Sequence, residues 1–155
     1  MTLHLLDTCD VIAGLAVTNG TYTVTFYDVD KVKRGYTSAD CPALLILPGD
    51  DEAGADFTPL ALDSSGYIVW NIACLYLEAP AEEGRGWAQH AEAVATFVEN
   101  FVQELIDAKA LFCENNTTLI GISPRRGVYE YPRGSGSWYY GAMFVARVKD
   151  FTRIT

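Results

Sequence analysis

The residues of this 155-residue chain whose types could do chemistry are two histidines, four cysteines, a few loop serines and a run of acids, and their spacing gives them no common task. His4 falls in the first predicted helix and His90 in the first turn of a later one, so a histidine metal site would need partners from distant elements. HExxH and paired Cys/His spacings are absent. Cys9, Cys41, Cys74 and Cys113 are separated by 32, 33 and 39 residues without a CxxC pair, which reads as buried free thiols in a reducing compartment. Ser64, Ser65, Ser135 and Ser137 sit near glycines, but none forms the GxSxG strand-to-helix elbow. GSGSWY at Gly134 to Tyr139 leads into a strand, whereas a phosphate cradle opens onto a helix N-terminus. Asp50, Asp51, Glu52 and Asp56 could attract a hard cation, yet they lack the alternating ligands and distal glutamate of a calcium loop, and are expected to form a solvated acidic loop. No catalytic, cofactor-binding or metal-binding residue is assigned.

One cluster is of another kind. Arg125, Arg126 and Arg133 lie beside Tyr129, Tyr131 and Trp138, the residue types enriched at interface hot spots. Two readings fit it: a recognition surface, or a turn whose charges face water while the aromatics brace a sheet. Neither involves catalysis.

The elements that must position these residues follow from periodicity. Leu5, Cys9, Ile12 and Ala16 at helical spacing predict a short first helix, closed by Asn19-Gly20. Tyr22, Val24 and Phe26 alternate with Thr23, Thr25 and Tyr27 as in a half-buried strand. After a polar connection, Cys41 to Leu47 forms a strand ended by Pro48-Gly49 and followed by the acidic loop from Gly49 to Asp56. Leu60 and Leu62 begin another short strand, and Tyr67 to Leu77 is the longest apolar one, with Asn71 its one polar residue. Because the Cys41 and Tyr67 strands are apolar on both faces, they belong inside a sheet covered on each side.

From Trp87, the residues Ala91, Val94, Val98, Phe101, Leu105, Ala108 and Phe112 recur in steps of three and four. They predict one helix of roughly 26 residues, about 39 Å long. Thr118 to Ile122 and Val128 to Tyr131 read as short strands joined by a Pro124-Arg125-Arg126-Gly127 turn, and Arg133 to Ser137 reads as a loop. Trp138 to Lys149 completes the sheet. The expected fold is α/β of the α+β type: a single mixed or antiparallel sheet of about five to six strands, packed with one long helix and a short N-terminal helix, in one globular domain over residues 1–155.

Composition narrows the function classes. Half the residues are hydrophobic and 20% are charged, as in ordered proteins. A net charge of −9 opposes stable nucleic-acid binding and anionic membranes, and no apolar run approaches the roughly 20 residues of a membrane span. Residues Met1 to Val17 carry Asp7 and Asp10 with no preceding basic residue, unlike a secretory signal, so a soluble protein is expected.

Taken together, the element order, ADCPALLILPGDD, YIVWNIACLYLEAP, the long helix and the closing SWYYGAMFVARVKDF resemble the tail terminator, or tail-completion, proteins of long-tailed bacteriophages, from about Cys41 to Phe151. The resemblance implies a virion structural protein and not an enzyme: a homohexameric ring, assembled in the host cytoplasm, that ends polymerisation of the tail tube and presents a surface for head joining. Its implied partners are further copies of itself, the tail tube protein and a head-completion or connector protein, with no cofactor. DNA would pass through the ring, where an acidic lumen would repel phosphates. On this resemblance Asp50, Asp51, Glu52 and Asp56 would face the lumen or the tube, and Arg125, Arg126 and Arg133 would pair with acids on a neighbour. The alternatives are another neck or head–tail connector subunit, or a small ligand-binding domain or enzyme. The last would need a cleft beside His90 or Cys74 gathering a histidine or cysteine with a carboxylate.

Overall fold

The computed structural model describes residues 4–48, 60–62, 67–81 and 86–153. Helix α1 spans Leu5–Ala13, and strands β1, β2, β3 and β4 span Thr25–Tyr27, Ala43–Leu47, Leu60–Leu62 and Tyr67–Pro80. A 3-10 turn at Trp87–Gln89 leads to α2, Ala91–Asp107, and α3, Lys109–Glu114. Strands β5, Thr117–Glu130, and β6, Trp138–Arg153, complete the order. All six strands form one mixed sheet with the path β1-β2-β4-β6-β5, and β3 pairs with β4. Among the described residues only the β1–β2 pair is parallel. The fold class is therefore α+β.

The double-sided apolar runs have the expected consequence. On one face, Ile68, Trp70, Ile72, Cys74 and Tyr76 of β4, with Ala142, Phe144, Ala146 and Val148 of β6, pack under the helices. Phe97 of α2 stacks on Tyr76 with centroids 3.9 Å apart, and Phe101 meets Phe144 edge-on at 4.8 Å. Each such buried aromatic contributes about 1.5–3 kcal/mol by burial, with a further ~1 kcal/mol from ring pairing. On the other face, Leu45, Leu47, Ala73, Leu75 and Met143 lie beneath Tyr36 and Tyr131. That second cover comes from the connection after β1 and from the end of the β5–β6 hairpin, not from a helix.

Three expectations change. The single long helix is interrupted at Ala108, where a turn separates α2 from α3, although Phe101, Leu105, Ala108 and Phe112 all stay buried. The bend brings the Phe112 carbonyl to the Thr117 hydroxyl, which donates to it at 2.9 Å, and Asn116 at φ 57° turns the chain into β5. The strand foreseen from Tyr22 begins at Thr25, because Asn19 Oδ1 accepts from the N–H groups of Thr21 and Tyr22 and holds that stretch in a turn.

The largest change concerns the Pro124-Arg125-Arg126-Gly127 turn. Those residues lie in the middle of β5, a single 14-residue strand paired with β6 from Thr117–Asp150 to Glu130–Trp138. An edge strand uses only alternate N–H groups, so a proline costs it no ladder bond when its nitrogen faces outward.

Asp150, near the end of β6, is fully buried. Its carboxylate accepts from the backbone N–H of His4 at 2.8 Å, from Trp70 Nε1 at 3.2 Å and from the backbone N–H of Thr152 at 2.9 Å. One side chain thus ties the start of α1 to the sheet.

Candidate functional site

The β5–β6 hairpin gathers the arginines and aromatics singled out in the sequence, and its strand geometry sorts them. Successive strand residues face opposite ways, so Arg125, opposite Met143, and Arg126, opposite Ala142, lie on different faces of the sheet. Both are exposed, as is Arg133 in the loop, and none of the three forms an ion pair among the described residues. Trp138 is 48% exposed. Tyr129 is half-buried and its hydroxyl donates to the Arg125 carbonyl at 2.6 Å. Tyr131 is interior, its ring 6.0 Å from that of Tyr36. The outward-facing set is therefore Arg125, Arg126, Arg133 and Trp138, with Tyr131 as a brace.

The connecting loop is tied from within. Glu130 accepts from the N–H groups of Gly134 at 2.7 Å and Gly136 at 2.9 Å, and both glycines adopt positive φ, 82° and 79°, which L side chains rarely do. Tyr131 N–H donates to the Ser137 carbonyl at 3.0 Å. Ordering cost has thus largely been met before any partner arrives. The helical layer also stops short of this end, because Pro124, Arg126 and Val128 share the helix-side face and are exposed.

At the opposite edge lies a feature that sequence reasoning missed. Asp10 of α1 shares a hydrogen bond with Asp28, which follows β1. That bond, then the residual desolvation of this exposed site and the charges of Asp28, Asp7 and Asp30, push the Asp10 carboxyl up to about 6. Leu6, Asp10, Asp28, Val29, Asp30 and Lys31 line a groove of about 530 Å³ there. Asp10 and Asp28 are 18 positions apart, so only the tertiary fold reveals the pair. Because the folded value lies above the ordinary 3.8, the pair stabilises the fold below that value, and its contribution is lost as pH rises through about 6. Asp10→Asn should accordingly raise the melting temperature at pH 7 and have little effect at pH 4. The gain should stay within about 1 kcal/mol, since exposed charges are well screened. Paired melts at the two pH values check this.

A third cluster surrounds Glu78. Its Oε1 accepts from the Tyr76 hydroxyl at 2.6 Å and from Asn19 Nδ2 at 2.9 Å, while His90 Nδ1 lies 3.9 Å from Oε2 and the His90 ring stacks on Tyr140. Burial, followed by the bond to Glu78, drives the Tyr76 hydroxyl far above its usual range, so it stays protonated. The arrangement stitches β4 to the turn at Asn19 and to the start of α2.

Cys9 and Cys41 are pushed up to about 12, mainly by burial, and Cys74 still further, so these three thiols are poor nucleophiles. Cys113 is exposed, and all four cysteines are free. Asp50, Asp51, Glu52 and Asp56 lie outside the described residues. Among the described residues no group of three or more His, Cys, Asp or Glu side chains is arranged to hold a metal ion, and no helix is long and apolar enough to cross a membrane. Compared with protein-family models, curated proteins and solved structures, the chain matches none.

Proposed function

We propose that this protein is a ring-forming virion subunit of the tail-terminator type. It caps the tail tube of a long-tailed phage, ends tube polymerisation and forms the surface to which the head is joined. The observation that carries this reading is the β5–β6 hairpin: a rigid sheet extension with an internally tied loop, presenting Trp138 and three arginines that form no ion pair among the described residues. Such a device suits recognition of another protein, because Arg and Trp anchors held on a rigid frame lose little entropy on binding. In this reading six copies close the ring, and a chain of net charge −9 repels passing DNA from the wall.

Incubation of the protein with its tail-tube subunit, followed by electron microscopy, tests the proposal. Tubes of limited length with sixfold caps are expected. Arg125→Glu with Arg126→Glu should lengthen the tubes to those seen without the protein. Uncapped tubes with the wild-type chain would sink the reading. A neck or connector subunit of another kind is the alternative, and it would bind the head connector while leaving tube length unchanged. A small ligand-binding domain would draw on the Glu78–His90 pair, but the carboxylate there is already committed to Tyr76 and Asn19.

A further inference from the structure

The sheet order sets β1 and β5 at opposite edges, four strand spacings or roughly 19 Å apart. Each edge carries exposed apolar side chains together with charged ones. At the β1 edge, Leu6 is 62% and Val29 39% exposed beside Asp10, Asp28 and Asp30, with Lys31 at the rim. At the β5 edge, Ile106 is 55% and Ile120 47% exposed, the cations Lys109, Arg125 and Arg126 are in no ion pair among the described residues, and the neighbouring acid Asp107 accepts from Gln103 Nε2 at 3.0 Å.

We infer that the acidic groove at the β1 edge is the seat for the basic β5 edge of a second copy of this chain, so that subunits join head to tail. A two-fold contact through the groove would set its three aspartates against three more, offset only by Lys31 at the rim. A contact between unlike patches is heterologous and repeats until it closes into a ring or runs on as a filament. The groove also gains from an external cation: at neutral pH the Asp10 carboxyl is mostly ionised beside the charges of Asp28, Asp7 and Asp30, and an arriving guanidinium relieves that repulsion. The β5 edge meets it through side chains and not by strand addition. The bulge between Leu119 and Gly121, the proline at 124 and the two arginines all protect this edge from ladder pairing. The inference rests on the ring reading above for closure, but not for the pairing of the two faces.

A charge-exchange experiment tests it. One variant carries Arg125→Glu and Arg126→Glu, the other Asp28→Lys and Asp30→Lys, with Asp30→Lys alone as the substitute if the double variant melts early. The wild-type chain at high concentration and low salt should associate by sedimentation velocity. Each variant alone should lose about 100-fold or more in association constant, as expected when like charges are opposed. An equimolar mixture should recover assembly, with the two masses alternating in native mass spectra, because each altered face then meets an opposite charge. A mixture of folded variants that stays monomeric would overturn the inference, and so would a wild-type chain that never associates. Tube capping by a chain that fails this exchange would leave the terminator reading standing and remove only the proposed contact.

Discussion

Replacing Gly141 with alanine should destabilise the protein by about 3 kcal/mol, the upper part of the range for overpacking a closed interior. For a chain of this length that is a fall of about 6–12 °C in melting temperature. Gly141 lies in β6 opposite Leu77 of β4, beside the register shift between Leu77 and Ala79. A Cβ at Gly141 would overlap the backbone carbonyl of Tyr76, which cannot swing away as a side chain could. Its cross-strand partner provides the control. Gly127 faces Gly141 across the β5–β6 ladder, and there a Cβ would meet only the Tyr129 ring at 3.6 Å or more, an ordinary contact. Gly127→Ala should be neutral or slightly stabilising, because alanine gives up less conformational freedom in a strand. Urea unfolding of the two variants checks the contrast, and equal effects would refute the packing described around Tyr76.

Asp150→Asn should cost about 2 kcal/mol at pH 7, since three donors then lose a charged acceptor in the interior and the amide NH2 must face at least one of them. The effect should depend on pH with a definite sign. Burial by itself would raise the Asp150 carboxyl, but the N–H groups of Thr152 and His4, with Trp70, outweigh it and hold the carboxyl below its ordinary value. A lowered folded value means stability that is present above the ordinary value of 3.8 and is lost as pH falls through the folded one. Wild type and variant should therefore differ most near neutrality and converge in strong acid. Denaturant melts between pH 7 and pH 2 would show this, and parallel curves over the whole range would exclude it.

The interior was easier to read from the residues than the edges were. The strands at Ala43–Leu47 and Tyr67–Pro80 announce themselves because residues that must be apolar on both faces leave no polar alternation to misread. The helical stripe from Ala91 was equally plain, but the break at Ala108 carries no glycine or proline to mark it. In β5 the signals misled, because Pro124 and Gly127 are turn residues wherever both sides of a strand must be bonded, and an outer strand lifts that requirement. The arginine–aromatic cluster was visible as composition. Its division between the two faces, and the interior place of Tyr131, depend on a register that only the paired strand fixes. The Asp10–Asp28 pair joins a helix to a strand end, a relation local periodicity cannot express.

The bulge at Ile120 has a consequence for how this surface is encoded. Before it, Thr117 and Leu119 share the face of Asp150 and Val148; after it, Ile122 shares the face of Ala146 and the odd-numbered residues have changed sides. The extra residue acts as a phase shifter. An uninterrupted ladder of the same sequence would turn Tyr129 and Tyr131 away from Tyr36 and Tyr139 and exchange the directions of Arg125 and Arg126. One inserted residue, 5 positions upstream of Arg125, thus sets which arginine each side of the sheet displays. An insertion or deletion between Leu119 and Arg125 would rewrite the surface without altering a single side chain on it.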